Sequence, residues 1–144
     1  MASESTTTPV PCLGLSEARL VVGEIFAIGW RPAALARSKA ICEVLGLDPL
    51  DRDAAVYLLL HFESVLAASL ASIGDNERSS SASVLIGFGE ASWGQQLKHR
   101  RSKAARALGL AVETVTRFHE KEILDDLAVA IFRQMRFVDA DLCP

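Results

Sequence analysis

Leu20, Val21, Ile25 and Ile28 recur at the three- and four-residue spacing that gathers side chains on one face of a helix. Ser16 stands ahead of them as a candidate N-cap, and Glu17 follows where the helix dipole favours negative charge. Gly29 weakens the pattern beside Trp30, and Pro32 fits the first turn of a second helix. That helix carries Leu35, Ile41, Val44 and Leu45 to a stop at Gly46. Asp48-Pro49 signals a turn, after which a third helix is predicted over about 51–73, stopped by Gly74. Apart from a thin stripe of His61, Ser64 and Ser72, it is apolar nearly all round, as the central helix of a bundle is. Crossing a bilayer takes about 20 predominantly apolar residues. His61 and Glu63 interrupt this run, so a core helix is expected and no membrane partner.

The next segment, 74–83, is polar and Ser-rich and reads as a solvated linker. Val84-Leu85-Ile86 is apolar and is followed by Gly87, Gly89 and Gly94, which suits a short helix or turn on the core. A helix over 95–108 is expected to end at Gly109. The last, over 112–136 with a bend near Glu122, presents Ile123, Leu124, Leu127, Ile131 and Met135 on one face. These elements predict an all-α bundle of about five to six helices. Residues 1–13 form a disordered tail, 14–75 an N-terminal helical half, 76–83 the linker and 84–138 a C-terminal half. Arg37-Ser38-Lys39-Ala40 before Leu45-Gly46-Leu47 is echoed by Arg101-Ser102-Lys103-Ala104 before Leu108-Gly109-Leu110. The gaps differ by one residue, which rotates the faces apart and argues for coincidence over repetition.

Composition agrees with this picture. A chain of 144 residues, half of them hydrophobic and 23 % charged, suits one globular domain. Cys12, Cys42 and Cys143 are odd in number and share no close spacing, so free thiols in a reducing cytoplasm are expected. The net charge of −3 conceals an asymmetry. Between Leu97 and Lys121 lie Lys98, Arg100, Arg101, Lys103, Arg106, Arg117 and Lys121 against Glu113 and Glu120 alone. The rest of the chain is acidic, so a basic patch on an acidic body is expected.

Inside that basic stretch, Ala105 is followed four residues later by Gly109, with Leu108, Leu110, Val115 and Phe118 at apolar positions around them. This segment, about 97–121, resembles the helix-turn-helix core of bacterial transcriptional regulators. The resemblance implies that Ala105 lets two helices approach closely and that Gly109 takes a left-handed turn conformation. It further implies burial of the four apolar residues and puts Thr114, Thr116 and Arg117 in the DNA major groove. Lys98, Arg100, Arg101, Lys103 and Arg106 are then expected to grip phosphates. Two departures stand against it. Ala111 occupies the place of a capping Ser or Thr, and Glu113 puts negative charge where the backbone of DNA would lie. A wider run, from Gly87-Phe88-Gly89 through Lys98-His99-Arg100-Arg101 to Glu120-Lys121-Glu122-Ile123-Leu124-Asp125-Asp126, is similar to segments of regulatory and signalling proteins of high-GC bacteria. There such modules look like accessory interaction domains.

Other candidate chemistry is thin. The glycines at 87, 89 and 94 match neither nucleotide fingerprint, and Ser92 misses the nucleophile-elbow spacing by one residue and reads as a helix cap. His61, His99 and His119 have no partner at metal-ligand spacing. Glu120, Glu122, Asp125 and Asp126 read as a solvated helix face, and Trp30 and Trp93 as core or edge anchors. The expectation is a non-enzymatic regulatory domain without metal or cofactor, binding DNA as a homodimer. The alternative is an adaptor that offers the same basic face to a partner protein.

Overall fold

The computed structural model describes residues 13–89 and 96–138, with side chains through Met135. The described residues form an all-α bundle without strands. In chain order the helices are α1 (Leu15–Ile28), α2 (Pro32–Leu35), α3 (Lys39–Leu45), α4 (Arg52–Ser72), α5 (Asn76–Leu85) and α6 (Leu97–Leu108). A seventh, α7, runs continuously through Val112–Thr114, Val115–His119 and Glu120–Val138. The disordered tail expected at 1–13, and the readings of Cys12, Ser92, Trp93, Gly94 and Cys143, lie outside the described residues, Leu13 excepted.

Local chemistry explains most of the boundaries. α1 starts two residues earlier than Ser16 implies, because Gly14 is the N-cap and donates its N–H to Glu17 Oε1 at 2.8 Å. Ser38 breaks the expected second helix into α2 and α3 by capping the latter, its Oγ accepting from the Ile41 N–H at 3.2 Å. Asp51 caps α4 in the same way. The expected linker is itself a helix. Asp75 caps α5 by accepting from the Arg78 N–H at 2.9 Å, and Ser81, Ala82 and Leu85 are buried. Three small hydroxyls in a row looked solvated because composition does not reveal that Ser79 and Ser81 bond to the carbonyls of Leu70 and Ala104.

α7 packs across both α1 and α4, while α5 lies along α6. The core they enclose includes Val21, Ile25, Leu59, Phe62, Leu66, Leu85, Ile86, Ile123, Leu127 and Ile131. Trp30 is buried between Phe62 and Phe88, and its indole N–H reaches Glu63 Oε2 at 3.1 Å. α4 departs from expectation. Leu59, Phe62, Leu66 and Leu70 face inward, but Tyr57, Leu60 and His61 lie on an exposed outer face.

The turn Val115–His119 of α7 is π-helical, with the Glu120 N–H bonded to the Val115 carbonyl. Val115 precedes Ile123 by eight residues, which in an α-helix, at about 100° per residue, puts them about 80° apart. The extra residue in the π turn removes most of that offset and brings Val115 into the core line of Ile123, Leu127 and Ile131. The irregularity of α7 lies at this turn, not at Glu122.

Candidate interaction site at the α6–α7 hairpin

The hairpin has the expected turn. Gly109 ends α6 with φ 69° and ψ 30°, a left-handed conformation in which a Cβ would be strained. The Leu110 N–H closes onto the Ala105 carbonyl at 2.9 Å, and Ala104 and Ala105 are buried. Ala111 precedes α7 without any side-chain cap. The turn is built for close helix approach.

The basic residues of α6 divide sharply. Arg100 is 1 % exposed. Its Nη1 donates to the Phe26 carbonyl at 2.7 Å and to the Leu85 carbonyl, and its Nη2 donates to the Ala27 carbonyl at 3.4 Å. These carbonyls lie at the C-terminal ends of α1 and α5, where helices leave acceptors unsatisfied and partial negative charge accumulates. One guanidinium thus caps two helices. Burial pulls the Arg100 side chain below its ordinary pKa, and the neighbouring charges of Arg31 and Arg101 add to that. The two helix ends meet tightly here. A Cβ on Gly87 would sit 3.3 Å from both the Gly29 Cα and the Trp30 backbone nitrogen.

Arg101 is committed as well. Its Nε and Nη2 donate to the two oxygens of Glu120 at 2.8 Å each, and its guanidinium lies 5.4 Å from the centre of the Phe26 ring. The bidentate bond to Glu120 raises its pKa and outweighs the opposing effect of burial. Glu120, 7 % exposed, is thus buried as part of a seam between α6 and α7. Arg100 is too deeply buried to meet a phosphate, against its expected DNA contact, while Arg101 is half-buried and engaged by Glu120. Lys98 and Arg106 are exposed, and Lys103 is half-buried.

On α7, Thr116 and Arg117 are exposed, while Thr114 is half-buried. Of the four apolar residues expected inside, Val115 is buried and Leu108 half-buried, but Leu110 and Phe118 are exposed. Phe118 is 64 % exposed because the wider π turn carries it away from the face of Val115. Leu110 and Val112, at 39 % and 40 %, add apolar surface at the tip. Arg117 lies 6.0 Å from the centre of the Phe118 ring. Beside them, α1 and α7 enclose a groove of about 630 Å³ walled by Arg19, Arg117, Phe118, Lys121, Glu122 and Asp125. A second groove of about 290 Å³ continues past Thr116 and Leu124.

The acidic residues of α7 serve as ties. Asp125 pairs with Arg19 at 2.8 Å, and Arg78 bridges Glu122 and Asp126. Glu122 and Asp125 are exposed and Asp126 is half-buried, so these three form the expected solvated face while also pairing with α1 and α5; Glu120 alone is buried. His61 is exposed and packs against Tyr57 with ring centres 4.3 Å apart and the planes tilted by 53°. Burial, with Asp48 nearby, pushes the Cys42 thiol above its usual pKa. Among the described residues no three His, Cys, Asp or Glu side chains gather as a metal site would.

No family model, curated protein or solved structure matches this chain.

Proposed function

We propose that this chain is a non-enzymatic, cytoplasmic regulatory domain whose α6–α7 hairpin docks a partner protein. The observation that carries this reading is the exposed Phe118, set between the cations Arg117 and Lys121 at the mouth of the groove against α1. Aromatic and arginine side chains are the usual anchors of protein interfaces, and a groove beside them admits a helix or an extended segment. Leu110 and Val112 widen the apolar surface, and the groove's cations Arg19, Arg117 and Lys121 outnumber its carboxylates Glu122 and Asp125, a slight positive excess that favours an acidic amphipathic partner.

The experiment is titration of the full chain with labelled acidic amphipathic helical peptides, comparing wild type with Phe118→Ser. Micromolar binding that falls at least tenfold in the variant, with unchanged circular dichroism, supports the reading. Equal binding by both proteins, or binding to no peptide of the panel, overturns it.

DNA recognition is the second reading. It draws on the left-handed turn at Gly109 and on the exposure of Thr116, Arg117, Lys98 and Arg106. A duplex reader loses affinity steeply as salt rises, and Arg117→Ala then flattens the slope. Failure to retain any duplex at low salt removes this reading.

A further inference from the structure

The outward face of α4 carries a pattern that the hairpin does not use. Ala54, Tyr57, Leu60, His61, Ser64, Ala67, Ala68, Ala71 and Ser72 are exposed, and over 54–72 no exposed residue is charged. Glu63, the one ionisable acid or base in that span besides Tyr57 and His61, is turned inward toward Trp30. The large side chains lie at one end of the face. Tyr57, 60 % exposed, and Leu60, 51 % exposed, stand beside His61, whose ring packs at a tilt against Tyr57. At the other end, alanines line a groove of about 380 Å³ between α4 and α5, walled in part by Ala67, Ala71 and Ser80.

From this arrangement we propose that α4 is a self-association surface, on which a second copy of the chain packs antiparallel about a two-fold axis at Ser64. In an antiparallel pair, facing residue numbers have a constant sum. With Ser64 opposite itself, Tyr57 faces Ala71, Leu60 faces Ala68 and His61 faces Ala67. Every bulky residue of one copy then meets a small one of the other, and Tyr57 fills the groove beside Ala71. An isologous interface of this kind needs one self-complementary patch, which α4 provides. Over 54–72 the neutrality of the face brings no like charges together, and it offers nothing there to an acidic or basic partner. The paired faces would remove on the order of 1,000 Å² from water, the lower limit for a specific association, so the dimer is expected to be weak and concentration-dependent.

α4 is also long and apolar enough to cross a membrane by length and composition. Its Leu59, Phe62 and Leu66 face is buried in the bundle, however, so a bilayer would have to dismantle the core.

The test is sedimentation equilibrium of the full chain at micromolar to millimolar concentration, paired with oxidative cross-linking. In a Cys12→Ser, Cys143→Ser background, Ser64→Cys is expected to form a disulfide dimer. Ala54→Cys is not, because its two copies would lie about 30 Å apart. Leu60→Glu should weaken the wild-type dimer at least tenfold without changing the circular dichroism. A monomer at every concentration overturns the proposal. So does cross-linking of Ala54→Cys as strong as that of Ser64→Cys, or phosphatidylcholine vesicles taking up the chain while no dimer forms.

Discussion

Arg100 and Arg101 on one side of α6, and Arg117 with Phe118 on the far side of the hairpin, belong to the same basic stretch of sequence but to different parts of the molecule. The first pair faces inward. Its guanidiniums end α1 and α5 and bind Glu120 of α7. The second pair faces water beside an open groove. A run of positive charge is therefore two things at once here: structural ties that happen to be cationic, and a surface that can meet a partner. The difference is one of helix face: Arg100 and Arg101 lie on the side of α6 that meets α1, α5 and α7, whereas Arg117, two residues past the buried Val115, lies on the far side of α7.

The largest expected effect tests the inner part. Arg100→Ala leaves the carbonyls at two helix ends without their donor and should cost about 3 kcal/mol or more, read from urea unfolding. Arg100→Lys should recover little, because an ammonium lacks the fork that reaches both helix ends. Next comes Gly87→Ala. Left-handed backbone (φ 71°) and a Cβ 3.3 Å from Gly29 and Trp30 together predict a loss of about 2 kcal/mol, expressed as a lower thermal midpoint. Gly109→Ala meets the same backbone penalty in open space and should lose only about 1 kcal/mol. Glu120→Gln, which weakens the seam without creating a void, should cost about 1 kcal/mol by the same assay. On the outer part, Arg117→Ala should change stability by less than about 0.5 kcal/mol while lowering partner binding. A destabilisation by Arg117→Ala as large as that by Arg100→Ala would erase the distinction.

The helices were legible because their punctuation is local. Gly46 and Gly109 adopt the left-handed conformation that stops a helix, and Pro32 opens one. The apolar face of α7 from Ile123 to Met135 followed from spacing alone. α5 was hidden because serines read as solvated, although Asp75 three residues before Arg78 is an ordinary capping arrangement. The two Arg-Ser-Lys-Ala words show why local reading stops short. Ser38 caps α3, whereas Ser102 lies within α6 and donates to the Lys98 carbonyl at 3.2 Å.

Less of the site could be read. Ala105 is buried, Gly109 makes the turn, Thr114 is half-buried, and Thr116 and Arg117 are exposed. The inward turn of Arg100 depends on carbonyls 15 and 74 residues away, which no periodicity encodes. The exposure of Phe118 depends on a π turn that is needed to align Val115 with the core. Arg101 offered the one available signal. Glu120 lies inside the same basic stretch, one of two acids among seven cations, and is a candidate partner for one of them.

The division of α6 into inner and outer cations is tested most directly by urea unfolding of four single variants, Lys98→Ala, Arg100→Ala, Arg101→Ala and Arg106→Ala. The expected result is a large fall in midpoint for Arg100→Ala, a smaller one for Arg101→Ala, and midpoints near wild type for the other two. Four equal midpoints, or larger losses at Lys98 and Arg106, would contradict it.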